Sequence, residues 1–164
     1  VLDAGGLKVE ALAVDHSPVE PAVGYRFSYK GRSLLITGDT VKLANIAQFA
    51  QGVDLLVHEA LAPNLVNLMH DAALQNGDNV LAKITHDILD YHASPVDAAE
   101  TARSAGVGHL LYYHIVPPLV VPGQETLFLN GAGDIFPRYT VGKDGVSFSL
   151  PAGTDAIVQT RGGL

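Results

Sequence analysis

The sequence predicts an α/β protein in which a mixed sheet is flanked by helices. Two kinds of segment alternate along the chain. Some have the length of a strand, with alternating or wholly apolar residues, and the others have helical periodicity. Glycine and proline mark the boundaries between them, and no internal repeat or low-complexity tract interrupts the order. Strands that alternate with helices are typical of α/β layers. We expect one unit over residues 1–164, which is long enough to bury a core.

The first part of the chain has the pattern of β-strands. Residues 7–14 and 24–29 alternate loosely between apolar and polar side chains, and residues 33–37 form a short apolar run. The turn-forming segment Lys30-Gly31-Arg32 separates the second strand from the third. We therefore expect a strand followed by a β-hairpin before residue 40.

After residue 40 the sequence alternates between helical patterns and short apolar runs. The best-marked helix follows Ser94, which is a favourable N-cap residue; Pro95 suits the first helical position and Gly106 suits the end. The elements that we expect are a helix over 43–50, a strand over 53–57, one or two helices over 62–91, a helix over 95–105, a strand over 109–113, a helix over 124–130, and strands over 138–142 and 146–150.

The composition excludes several classes of protein. Ten Lys and Arg residues against 17 Asp and Glu residues give a net charge of −7 with neutral His, which disfavours nucleic acid as a partner. Cysteine is absent from the sequence, so disulfides and Cys-based zinc sites are excluded, while cytoplasmic and periplasmic locations both remain open. We expect no membrane span, since no apolar run reaches about 18 residues.

Four polar residues share one kind of position, at or just after the end of a predicted strand. They are His16, Asp39, His58 and His114. Ligands of open α/β sheets gather at strand ends, where side chains from several strands converge. Four residues of this type on four elements predict a metal site built from imidazole and carboxylate groups.

The strings around these residues occur in a familiar order. The chain resembles the second half of the ribonuclease Z and arylsulfatase-like branch of the metallo-β-lactamase superfamily, over roughly residues 1–116. The strings that carry this resemblance are Val14-Asp15-His16, Gly24-Tyr25-Arg26-Phe27, Thr37-Gly38-Asp39-Thr40, Val57-His58-Glu59-Ala60, His92-Ala93-Ser94 and Tyr113-His114.

The resemblance implies a zinc-dependent hydrolase that acts on a phosphodiester or a sulfate ester through a metal-activated hydroxide. His16 matches a ligand of the first zinc ion, Asp39 matches the carboxylate that bridges two ions, and His114 matches a ligand of the second. His92 matches a histidine that protonates the leaving group or stabilises the transition state. Zinc is the metal that the resemblance implies, although manganese and iron accept the same nitrogen and oxygen ligands.

Three further residues are predicted to support these groups. Glu59 is a candidate for orienting a histidine from outside the metal coordination sphere, and His58 either supports the site in the same way or packs in the core. Ser94 begins a helix whose free N–H groups favour an anion, so a phosphate or sulfate oxygen is expected to dock there. The pair Asp39-Thr40 could alternatively serve only to cap the following helix.

The resemblance also implies a partner for this chain. The family's His-x-His-x-Asp-His signature does not occur in the sequence, so the remaining metal ligands are expected from an N-terminal half or a second copy. The fold is accordingly expected to be half of a four-layer αβ/βα metallo-β-lactamase fold. A catalytically inactive module of this fold is the alternative.

The substrate expected from the sequence is a small anionic ester. In ribonuclease Z a long arm that grips tRNA is inserted after the Gly-Tyr-Arg strand, whereas here only residues 28–37 separate Phe27 from Gly38. The acidic balance points the same way. A ribonuclease Z-like endonuclease therefore ranks behind a hydrolase of small phosphodiesters or aryl sulfates.

Overall fold

The computed structural model describes residues 1–161, which contain a seven-stranded mixed sheet with its strands in chain order. The first four strands form an antiparallel meander, and the fourth to seventh strands are parallel. This arrangement confirms the predicted α/β class. The strands of this sheet are β1 (Leu2–Ala4), β2 (Leu7–Ala13), β3 (Val23–Tyr29), β4 (Arg32–Ile36), β5 (Leu55–Leu61), β6 (His109–Val116) and β7 (Tyr139–Val141). A separate hairpin pairs β8 (Val146–Ser149) with β9 (Val158–Arg161).

The connections between the parallel strands contain the helices. They are α1 (Ala44–Phe49), α2 (Pro63–Gln75), α3 (Asn79–Asp87) with a 3₁₀ turn after it (Ile88–Asp90), α4 (Pro95–Ala105), α5 (Gln124–Leu129) and α6 (Ala132–Ile135). Within residues 1–161, no helix has the length and the apolar character that crossing a membrane requires.

Helix α4 packs on one face of the sheet and forms the centre of the core. Its residues Ala98 and Ala102 are fully buried, as are Leu110 and Tyr112 of β6. Alanine side chains let the helix approach the sheet closely, and the hydroxyl of Tyr112 donates a hydrogen bond to the Pro95 carbonyl at the start of the helix (3.0 Å). This contact fixes the N-terminus of α4 above the carboxyl half of β6.

The predicted elements agree with the structure except at a few positions. Strands β1 and β9 and helix α6 were not among the expected elements, and β5 continues four residues beyond the predicted end at residue 57. Because β6 pairs with β5 along its whole length, the ladder extends the strand past its apolar segment. As a consequence His58 and His114 lie within strands, and the expectation that they follow strand ends was wrong.

Ser94 forms both hydrogen bonds of a capping box at the start of α4. Its Oγ accepts from the Asp97 amide (3.1 Å), and the Asp97 carboxylate accepts from the Ser94 amide (3.0 Å). Replacing Ser94 with Ala should therefore lower the free energy of unfolding by about 1 kcal/mol. Urea denaturation measures this difference.

Ser104 provides the matched control in the same helix, since its hydroxyl only donates to the Thr101 carbonyl (3.0 Å). Ser104→Ala should change the free energy of unfolding by no more than about 0.5 kcal/mol. Equal losses for the two variants would contradict the assignment of a stabilising cap to Ser94.

Candidate metal centre

Four side chains with metal-ligand chemistry converge at the carboxyl end of the parallel strands. His114 Nε2 lies 3.6 Å from Asp39 Oδ2. The rings of His114 and His92 stack with centroids 5.5 Å apart, and the rings of His92 and His16 meet edge to face with centroids 4.9 Å apart. These residues come from four segments that are far apart in the sequence, so only the tertiary fold brings them together.

A β-bulge places His114 in this cluster. Glu59 pairs with Tyr113 and Ala60 pairs with Ile115, so His114 is an extra residue in β6 with no partner in β5. Its φ of +42° lies in the left-handed region, which a histidine rarely occupies. The bulge turns this side chain out of the regular alternation and towards Asp39.

Asp39 follows β4 in a tight turn that requires glycine before it. Gly38 has a φ of +69°, and a Cβ at this position would lie only 2.6 Å from the carbonyl oxygen of Val23. Helix α1 begins later, with Leu43 as its N-cap, and within residues 1–161 no side chain caps it. Asp39 and Thr40 therefore do not serve as the helix cap that the sequence allowed as an alternative.

His16 is oriented by a backbone carbonyl. Its Nδ1 lies 2.9 Å from the carbonyl oxygen of Tyr91. Because a carbonyl only accepts hydrogen bonds, Nδ1 carries the proton and Nε2 of the neutral ring retains its lone pair. Tyr91 also packs its ring against His16 and His92. Sequence reasoning missed Tyr91, for which the one available signal is that it directly precedes His92.

Glu59 connects the loops on which His92 and Asp39 lie. Its side chain is completely buried, and Oε1 accepts hydrogen bonds from His92 Nδ1 (3.0 Å) and from the amides of Thr40 (3.1 Å) and Ala93 (3.0 Å). The proton of His92 is thus on Nδ1, and Nε2 faces away from the carboxylate. The structure places Glu59 where it can orient His92.

One group of the described residues brings three possible metal-ligand atoms close together. Glu59, His92 and His114 each offer a ligand atom, and these atoms lie within 4.8 Å of one another. Oε1 of Glu59 already accepts three hydrogen bonds, however, while Oε2 is buried and has no partner among the described residues. The imidazole and carboxylate donors of His16, Asp39 and His114 suit zinc, manganese or iron, so the chemistry of the donor set fits a metal ion.

His58 does not join the cluster, in contrast to the expectation that it ends a strand beside the site. It pairs with Tyr112, whose side chain faces α4, and its own side chain is completely buried on that face of the sheet. Its Nδ1 hydrogen-bonds to the Glu59 carbonyl (2.7 Å). Of the two predicted roles, the packed core position agrees with the structure.

The start of α4 offers little room for an anion. The Ser94 and Asp97 amides are used within the capping box, and Asp97 places a carboxylate at the helix N-terminus. Lys42 neutralises this carboxylate in part, at 3.3 Å, and also pairs with Glu100. The structure therefore argues against Ser94 as an anion-binding residue, because Asp97 would repel the ligand.

A neutral phenol borders the candidate centre. Burial, together with the negative charges of Asp39 and Glu59, raises the pKa of Tyr113 to about 12. Tyr113 directly precedes His114 and lies opposite Glu59 in the ladder between β5 and β6. At neutral pH this residue therefore presents an uncharged hydroxyl beside two carboxylates.

Two ribonuclease Z proteins are similar to this chain. Ribonuclease Z of Mycolicibacterium paratuberculosis is 35% identical over 144 residues, which cover 88% of this chain and 48% of that protein. Ribonuclease Z of Mycobacterium tuberculosis is 36% identical over 143 residues, which cover 87% of this chain and 48% of that protein. The chain thus spans about half the length of the curated relatives it matches. No protein-family model matches the sequence.

Among solved structures, a metallo-β-lactamase fold protein from Bacillus subtilis, YhfI, is similar with a TM-score of 0.59. The match covers 84% of this chain and 47% of that protein at 19% sequence identity, so it shows the fold alone. The names of the curated relatives refer to RNA, whereas the acidic balance disfavours nucleic acid. The fold is therefore that of the metallo-β-lactamases. The relatives' names run against the expectation that nucleic acid is a disfavoured partner.

Burial lowers the pKa of His58 below its usual value of 6.5. The ring therefore binds a proton less readily in the folded protein than in the unfolded chain, where its pKa has the usual value. The free energy of unfolding should therefore fall as the pH drops below that value, by up to about 1.4 kcal/mol per pH unit from this group. Urea denaturation between pH 7.5 and pH 5.5 measures the slope.

His58→Gln should reduce this slope, since the substituted residue has no proton to bind in that range. His86, whose side chain is 71% exposed, provides the control, and His86→Gln should leave the slope as it is in the parent protein. An unchanged slope in His58→Gln would show that another group causes the pH dependence.

Proposed function

We propose that this chain, which belongs to the metallo-β-lactamase superfamily and resembles ribonuclease Z over the half it spans, supplies part of the active site of a metal-dependent phosphodiester hydrolase. The observation that carries the proposal is the convergence of His16, Asp39, His92 and His114 from four separate segments. A sulfate ester offers the same tetrahedral anionic centre and is the nearest alternative substrate.

His16, Asp39 and His114 are the residues that would hold the metal. A divalent ion at such a site acts as a Lewis acid on the ester and lowers the pKa of water, and two zinc ions are expected in the complete site. Three protein ligands are typical of one catalytic zinc, so these residues are too few for two ions. We propose that the other ligands come from an N-terminal half with the His-x-His-x-Asp-His signature or from a second copy.

His92 is proposed to handle the proton of the leaving group. Glu59 holds Nδ1 at 3.0 Å, so Nε2 is the ring atom left to face a departing oxygen. To donate a proton from Nε2, the ring must first carry protons on both nitrogens, and it keeps the Nδ1 proton after the transfer. Glu59 is a positioning residue in this proposal, because its carboxylate contacts His92 and two backbone amides. Its buried environment keeps water from competing for the His92 ring.

Two kinds of phosphodiester substrate, a small ester and an RNA, differ in size. The relatives' name favours RNA, and RNA is itself a phosphodiester. Strands β3 and β4 are joined by a tight turn at Lys30-Gly31, which leaves no inserted arm between them, and the chain carries a net charge of −7. These two observations favour a small phosphodiester over a long polyanion. A catalytically inactive module remains the alternative that the following experiments test.

The metal-site proposal predicts that bound metal depends on Asp39. Elemental analysis of the purified protein, together with its N-terminal half where one is encoded, should find about two equivalents of metal. Asp39→Ala should remove most of it, because it deletes the carboxylate proposed to bridge the ions. Asp71→Ala is the control, since Asp71 lies on the exposed side of α2 and should leave the metal content unchanged. Equal metal content in all three proteins would refute the proposed role of Asp39.

The proton-transfer proposal predicts a split between metal binding and turnover. His92→Gln should lower kcat for diphenyl phosphate, whose phenolate leaving group is basic, about 100-fold or more while the metal content stays at the parent level. The loss should be smaller for bis-p-nitrophenyl phosphate, whose better leaving group needs less protonation. Parallel assays with an aryl sulfate and with an RNA oligonucleotide distinguish the substrate classes. Full activity in His92→Gln, or turnover by neither protein, would contradict the proposed function.

A further inference from the structure

A cavity of about 900 Å³ opens beside the candidate metal centre. His114 and Tyr113 line it, so it is continuous with the site at which the ester is proposed to react. Ligand pockets in proteins have volumes of roughly 300–1,000 Å³ and mostly apolar walls with a few polar groups. The cavity has the size of a small-molecule site, and the proposed function does not yet use it.

Branched aliphatic side chains are the largest group of residues in the cavity wall. Leu111 and Val141 come from the paired strands β6 and β7, and Leu119, Val120 and Val121 come from the segment that follows β6. Val120 and Val121 are 81% and 57% exposed, although both are strongly apolar. An apolar group that entered the cavity would remove this surface from water, which is the main source of affinity in such pockets.

The charged groups at the rim oppose a polyanion. Lys143 and Glu125 face each other with Nζ and Oε2 3.7 Å apart, and Asp144 is a second carboxylate at the rim. The two carboxylates therefore outnumber the one ammonium group at the rim. A chain of phosphates would meet a net negative rim, whereas an uncharged group would meet no such repulsion.

We propose that this cavity binds an uncharged aryl group of the ester, so that the ester itself lies at His114. The inference rests on the proposed function and names its substrate class as a small aryl ester. Aliphatic side chains pack against the faces of an aromatic ring, and the continuity through His114 places the ring and the reacting group in adjacent spaces. The aryl group would then contribute binding energy at a distance from the atoms that react.

Two phosphonates test the cavity without requiring catalysis, because a carbon–phosphorus bond is not hydrolysed in this chemistry. Phenylphosphonate carries the ring, and methylphosphonate carries the same anionic group without it. Phenylphosphonate should bind about tenfold more tightly and should shift the NMR methyl signals of Leu111, Val120, Val121 and Val141. Methylphosphonate should leave those methyl signals near their original positions.

Replacing both Val120 and Val121 with Asp should remove the preference for phenylphosphonate. Both side chains are exposed, so the substitutions should leave the fold intact. Val80→Asp is the matched control, because Val80 is 72% exposed on α3 and does not line the cavity. It should retain the tenfold preference of the parent protein.

Equal affinity for the two phosphonates, or methyl shifts confined to other parts of the chain, would overturn the inference. An oligonucleotide that binds more tightly than phenylphosphonate and shifts the cavity methyl signals would also overturn it, in favour of nucleic acid. If phenylphosphonate binds in the cavity but aryl phosphodiesters are not hydrolysed, the cavity assignment stands and the proposed function fails. If they are hydrolysed with an aryl preference that the Asp substitutions do not change, the function stands and the cavity assignment fails.

Discussion

The carboxylate of Glu59, on β5, joins two other segments that are distant from it in the sequence. The candidate centre depends on these contacts. Oε1 accepts hydrogen bonds from the amides of Thr40 and Ala93 and from the ring of His92. The first amide belongs to the loop that carries Asp39, and the second directly follows His92. Moving this carboxylate would therefore displace a carboxylate and a histidine of the centre together.

Burying a carboxylate costs free energy, and three hydrogen bonds to Oε1 offset that cost. Oε2 has no partner among residues 1–161, so the carboxylate is less completely satisfied than a group that serves stability alone. Removing Glu59 would leave two buried amides without acceptors, at about 1–3 kcal/mol each. Such an arrangement favours one geometry of the surrounding loops over others, which suits a centre that must position several groups.

His114 lies between two environments of opposite character. On one side it faces Asp39 and His92, and on the other it lines an apolar cavity. The bulge in β6 produces this position, because a regular strand would keep the side chain within the alternation of the sheet. A single irregularity of the backbone therefore connects the group that would hold a metal with the space that would hold the rest of the substrate.

Local patterns in the sequence determined the α/β class, the hairpin, the capped helix and the candidates His16, Asp39 and His114, because periodicity, caps and side-chain chemistry act over a few residues. Only the tertiary structure decided the length of β5, which its pairing with β6 extends, and the burial of His58 on the helix-covered face. Only the tertiary structure revealed that Tyr91 orients His16, since every residue has a backbone carbonyl and the residue type does not show which one will accept the hydrogen bond. Two features decide which side chains meet: the register between neighbouring strands and the paths of the loops that connect them. Both features depend on contacts between segments that are far apart in the sequence.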